Sequence, residues 1–137
     1  MSKKIAILGS TGSIGTSSLR VIEALGPEYE VVALTAHSNT EMLAEQVRQF
    51  KPKFVGLTNS QKAGDLRDRL HDYGGEILIG PQSLVEIAAL DEIDTVITAI
   101  VGAAGLGAVL EAAKKGKTLA IANKEPLVIA GDRKSVV

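Results

Sequence analysis

Lys3-Lys4-Ile5-Ala6-Ile7-Leu8-Gly9-Ser10-Thr11-Gly12-Ser13-Ile14-Gly15 decides how this chain is read. A short apolar burst runs directly into glycines at three-residue spacing, and a helical pattern opens at the end of them. The same alternation continues outward along the chain. Apolar bursts at Lys4–Leu8, Val31–Thr35, Phe54–Thr58, Glu76–Ile79, Thr95–Ile100 and Thr118–Ala122 are rich in Val, Ile and Leu, with little in–out alternation. Strands of a parallel sheet read this way, because helices cover both faces. Between them lie segments of helical period. Ser13–Leu25 stops at Gly26-Pro27, a glycine-then-proline end. Thr40–Phe50 follows Asn39-Thr40 as candidate caps, with Glu41 near the positive helix end. Gln61–Tyr73 ends at Gly74-Gly75, Gly80-Pro81 is expected to open a helix with proline at its first position, and Leu106–Lys115 closes on Lys114-Lys115-Gly116. Strands alternating with helices in this way predict an α/β fold, a doubly wound, Rossmann-like parallel sheet of about six strands with right-handed crossovers.

The glycine corner carries the most chemistry. Gly9 ends the strand in a tight turn, Gly12 lets backbone approach a ligand, and Gly15 lets the helix pack close to the strand. The first N–H groups of a helix have no partner inside it, and they sit at the positive end of its dipole. Ser10, Thr11 and Ser13 add hydroxyl donors. The corner suits a pyrophosphate, although its spacing is GxxGxxG rather than GxGxxG; a bare turn with no ligand is the alternative.

An NAD-selective domain places Asp or Glu after its second strand, about 20 residues past the glycines, to hold the ribose 2′-hydroxyl. Here that stretch is Leu34-Thr35-Ala36-His37-Ser38-Asn39, with no acid between Glu30 and Glu41. A carboxylate there would repel a 2′-phosphate, and its absence admits one. His37, Ser38 and Asn39 all donate hydrogen bonds, so the expected cofactor is NADPH rather than NADH. Two later loops follow strands: Ile100-Val101-Gly102-Ala103-Ala104-Gly105, whose small residues leave room at the carboxyl end of the sheet, and Asn123-Lys124-Glu125. The second reads either as an exposed turn or as polar side chains reaching cofactor and substrate. Asp91-Glu92-Ile93-Asp94 precedes a strand, at the wrong edge for catalysis, and reads as a solvated loop; His71, late in a charged segment, reads as surface.

Composition narrows the classes. The 137 residues fit one domain. There is no cysteine, hence no disulfide framework and no thiol nucleophile. Lys+Arg 15 against Asp+Glu 16 leaves a net charge of −1, and aromatics are 3%, which argues against nucleic acid as a partner. No apolar run approaches the ~20 residues of a membrane span, and the first one, Ile5–Leu8, is too short for a secretory signal.

Lys3–Gly15, Ile100–Leu106 and Ala122-Asn123-Lys124-Glu125 together resemble the amino-terminal domain of the 1-deoxy-D-xylulose 5-phosphate reductoisomerase family. The resemblance runs from about Lys3 to about Gly131, which sets the expected domain at 1–131 and leaves 132–137 as a tail unlike the family's continuation. It implies an NADPH-dependent oxidoreductase of non-mevalonate isoprenoid biosynthesis. Such an enzyme rearranges deoxyxylulose phosphate with Mg²⁺ or Mn²⁺ and reduces the product to 2-C-methyl-D-erythritol 4-phosphate. By position, Thr11, Gly12, Ser13 and Ile14 would bind the NADPH pyrophosphate, and His37, Ser38 and Asn39 its 2′-phosphate. Asn123 and Glu125 would meet its other end, and Lys124 the substrate. No catalytic residue and no metal ligand falls within this chain, because the resemblance stops before the family's Asp-Ser-Glu stretch. The chain is therefore expected to bind NADPH and not to turn over alone. His37 stands where the family usually has glycine, and Pro126 where it has Ser or Thr. The resemblance further implies a homodimer without membrane attachment, and the lack of a transit peptide points to bacterial cytoplasm. Another NADP-dependent dehydrogenase of this fold and a non-catalytic nucleotide-binding module are the alternatives.

Overall fold

A computed structural model describes residues 3–100, 102–121 and 128–130. The strands are β1 (Lys3–Leu8), β2 (Tyr29–Ala36), β3 (Phe54–Leu57), β4 (Glu76–Ile79), β5 (Thr95–Thr98), β6 (Thr118–Ile121) and β7 (Val128–Ala130). The helices are α1 (Ser13–Leu25), α2 (Thr40–Phe50), α3 (Ala63–Arg69), α4 (Ser83–Ala88) and α5 (Leu106–Lys114). The sheet order is β4-β3-β2-β1-β5-β6-β7. The first six strands pair in parallel, as their apolar runs require. A seventh, β7, adds an antiparallel edge beside β6, in a region whose sequence carried no clear strand pattern.

Both sheet faces are buried, so the strands need apolar residues at successive positions. In β1, Ile5 and Ile7 join one core with Leu19 and Ile22 of α1, Leu43 and Val47 of α2 and Leu66 of α3. Ala6 and Leu8 join the other, with Leu84 and Ile87 of α4 and Ala108 and Ala112 of α5. The winding is thus double: α1, α2 and α3 cover one face as the chain steps from β1 out to β4, and α4 and α5 cover the other as it returns to β5 and β6. A register shift between Ile5 and Ala6 inserts one extra residue in β2. Val32 and Ala33 therefore face the same core, which a strict alternation would forbid.

Two element starts differ from expectation. Gly80-Pro81 does not begin α4; the helix starts at Ser83. Gly80 has φ +112°, its N–H donates to Leu57 O at 2.8 Å, and Ser83 N–H donates back to Gly80 O at 3.0 Å. Pro81 therefore sits inside a turn that carries the chain around the sheet edge. Gln61–Tyr73 is likewise shorter than its polar, helical composition suggested: a 3-10 turn over Ser60–Lys62 leads into α3, which ends at Arg69. Among the described residues no helix is long and apolar enough to cross a membrane.

Candidate nucleotide-binding cleft

Leaving the sheet, the chain moves in opposite directions from β1 and β5, which are neighbours: β1 leads to β2, β5 to β6. A crevice opens at the carboxyl ends of strands at such a point. Here it is a cleft of about 540 Å³, bordered by Gly9, Thr11 and Gly12 after β1, by Ala36 and His37 at the end of β2, by Thr58 after β3 and by Ala99, Ile100 and Ala104 after β5.

The three glycines of the opening corner do separate work. Gly9 has φ +80°, and a Cβ there would lie 2.9 Å from Ile100 Cγ1. A Cβ on Gly15 would overlap the Gly9 carbonyl oxygen and lie 2.7 Å from Ser10 Cα, so α1 can approach β1 only with glycine here. A Cβ on Gly12 would meet no protein atom within 4 Å. No neighbour in the fold requires Gly12, which leaves the space in front of it for a ligand. Gly12 is also the N-cap of α1, and no side chain caps that end; its first turn holds no acidic residue. The N–H groups at the start of α1 and the positive end of its dipole therefore open toward the cleft side of the sheet. No Asp or Glu belongs to the described lining, so nothing there opposes a phosphate.

The expected site residues fall into distinct places. Thr11, Gly12 and His37 border the cleft. Ser13 begins α1 and is exposed. Ile14 turns its side chain into the core beside α1, leaving its backbone as the part at the corner. Asn39 caps α2, its Oδ1 accepting from Met42 N–H at 3.1 Å, and Ser38 O accepts from Thr40 N–H at 2.9 Å. His37 is exposed, and its Nδ1 shares a hydrogen with Thr58 Oγ1 at 2.7 Å, which fixes the ring over the β3 end. Asn123, Lys124 and Glu125 lie outside the described residues.

Ser10 is corrected. Its hydroxyl was expected among the ligand donors, yet Ser10 is fully buried and its Oγ–H donates to Gln46 Oε1 at 2.7 Å. Its side chain serves the loop and not the cleft. Three residues escaped the sequence reading. Thr35 Oγ1 accepts from Gly9 N–H at 2.9 Å, Thr58 orients His37, and Gln46 holds Ser10. Gln46 had a signal: Leu43, Gln46, Val47 and Phe50 repeat at helical stripe spacing, so a polar side chain stands in an apolar row. The acidic run Asp91–Asp94 lies before β5, away from the cleft. There Asp94 Oδ2 accepts from Lys4 N–H at 3.0 Å, and Glu92 pairs with Lys53 at 3.4 Å.

The family model for 1-deoxy-D-xylulose 5-phosphate reductoisomerase matches residues 5–131. Curated relatives of that name include one from Halothermothrix orenii, 45% identical over 132 residues that make up 96% of this chain and 34% of the relative. Another, from Nitrosomonas europaea, is 50% identical over 94% of this chain and 32% of its own length. The chain thus spans about a third of the relatives it matches. Among solved structures, the Zymomonas mobilis reductoisomerase in complex with NADPH superposes with a TM-score of 0.84 at 39% identity, over 90% of this chain and 32% of that one. With the glycine corner, the sheet order and this match in agreement along nearly its whole length, the chain belongs to the 1-deoxy-D-xylulose 5-phosphate reductoisomerase family.

Proposed function

We propose that the cleft between β1 and β5 binds NADPH, and that the chain is the nucleotide-binding portion of an enzyme converting 1-deoxy-D-xylulose 5-phosphate to 2-C-methyl-D-erythritol 4-phosphate. The observation that carries this reading is the start of α1: an end without a side-chain cap, at Gly12, where a Cβ would meet only open space. Backbone N–H groups of Thr11, Gly12, Ser13 and Ile14 hold the pyrophosphate. Those of Ser13 and Ile14 are already oriented by the first turn of α1, so they need no rearrangement on binding. Ser38 and Asn39 donate to the adenosine 2′-phosphate, with His37 held against Thr58 beside them. Asn123 and Glu125 take the other end of the cofactor, and Lys124 takes a substrate oxygen. When bound, the dihydronicotinamide supplies a hydride to an aldehyde carbon; the chain's own part is to fix the nucleotide and exclude water around it. A divalent metal belongs to the family's chemistry. Among the described residues no group of three or more His, Asp or Glu could hold one. The portion by itself binds nucleotide without turnover. Family likeness also supports a cytoplasmic homodimer.

Calorimetric titration of the protein with NADPH and NADH tests the reading. NADPH is expected to bind at least about tenfold more tightly, the worth of roughly one charge-assisted hydrogen bond. Equal affinities would remove the 2′-phosphate assignment. Binding of neither would remove the cleft assignment as well.

A further inference from the structure

The corner between β1 and α1 is gripped from behind by α2. Gln46, 6% exposed, forks onto Ser10: it accepts from Ser10 Oγ–H at 2.7 Å through Oε1, and its Nε2–H donates to Ser10 O at 2.9 Å. Ser10 N–H donates to Thr35 O at 2.8 Å, and Gly9 N–H donates to Thr35 Oγ1 at 2.9 Å. Ser10 and Thr35 are both fully buried. Every polar group of Ser10 is thus committed to β2 or α2, and Gly15 closes the remaining side. Burying an amide costs free energy unless both its ends are paired, and a leucine would fill this stripe position more cheaply. What the fork adds over leucine is a fixed geometry. The helix that carries it also begins at Asn39-Thr40, directly after the loop read as the 2′-phosphate site. Gln46 stands six residues beyond Thr40, roughly 9 Å along a rigid helix.

We infer that Gln46 is a positioning residue: it fixes the glycine corner to α2 and so holds the pyrophosphate and 2′-phosphate segments at the separation of one nucleotide. The inference rests on the NADPH reading of the cleft. A ligand that spans both segments feels this lock, and one that touches a single segment does not.

The test titrates the intact protein, unaltered and as Gln46→Met, with NADPH and with adenosine 2′-monophosphate, alongside chemical denaturation. NADPH affinity is expected to fall about tenfold, the worth of one to two neutral buried hydrogen bonds, while the monophosphate holds within about twofold. Equal losses for both ligands would mean general loosening and would overturn the inference; so would no loss for either. If Gln46→Met does not fold, Ser10→Ala keeps the bond from Gln46 to the Ser10 carbonyl. That variant is expected to lose about threefold for NADPH with the same selectivity, and parity between the ligands would again overturn the lock. Failure of the unaltered protein to bind either ligand would overturn the NADPH reading itself, whereas tight binding insensitive to both variants overturns the lock alone.

Discussion

Gly12 and Gly15 stand one helical turn apart and answer to different demands. Gly15 is required by the fold, since its missing side chain is where the Gly9 carbonyl and Ser10 backbone sit. Gly12 faces open space at an ordinary backbone angle, φ −75°. Gly15→Ala is therefore expected to lose about 2–3 kcal/mol of stability in urea denaturation through overpacking. Gly12→Ala should cost under about 1 kcal/mol, the scale of an altered N-cap, yet weaken NADPH binding about tenfold or more by intruding on the pyrophosphate. Equal stability losses with unchanged binding would show that Gly12 serves the turn and not a ligand. The sequence pattern identified both glycines without separating their roles as sharply as the contacts do. It misread Ser10, because a hydroxyl in a loop says nothing of which way it points; that direction is set by Gln46, thirty-six residues later.

Elements were most legible where local chemistry alone decides them. α1 and α2 begin and end at the residues their caps and periods indicated, because glycine, proline and Asn39 act within a turn of the boundary. α4 was displaced because Gly-Pro also suits a turn, and the need to round the sheet edge decided between the two. The junction of α2 and α3 was not legible at all: Thr40 Oγ1, at the start of α2, donates to Asp65 of α3, which also accepts from Arg69 Nε at 3.0 Å. The Thr40 hydroxyl first, then Arg69, holds the Asp65 carboxyl below its ordinary value. A carboxylate depressed in the folded state contributes stability that is present above its unfolded pKa near 4 and is lost as pH falls through the folded value. Denaturation midpoints of Asp65→Asn are accordingly expected to fall less steeply than those of the unaltered protein from about pH 5 downward. Parallel curves would mean that the contact with Thr40 does not discriminate between the charged and neutral carboxyl.

Over the whole molecule, the direction of the sheet distinguishes the cleft from a concavity of similar size at the opposite edge. One is the cleft of about 540 Å³ at the carboxyl ends of the strands. The other, about 430 Å³, is bordered by Arg48, Lys51, Asp72 and Gly74, where α2 has ended and the chain is entering β3 and β4. Parallel strands with crossover helices put helix amino-termini at the first edge and carboxyl-termini at the second, so the dipoles favour an anion only at the first. Arg48 and Lys51 are solvent-exposed cations at the other edge and are screened by salt. The topology follows from the strand and helix alternation in the sequence, but the convergence of residues 9, 11 and 12 with 36, 37 and 58 and with 99, 100 and 104 at one edge emerges only once the order β3-β2-β1-β5 is known. Hydrogen exchange with saturating NADPH should report that convergence directly. Protection is expected at the start of α1, at the β2–α2 junction and after β5, with residues 48–52 and 72–75 unchanged. At a hundred times its dissociation constant the ligand adds about 2.7 kcal/mol to the folded state, enough to slow exchange by about a hundredfold in amides that open only with global unfolding. Amides that open locally will slow only where the nucleotide lies, so the pattern separates contact from general stabilisation. Protection centred on 48–52 and 72–75 would move the site to the opposite edge, against the helix dipoles.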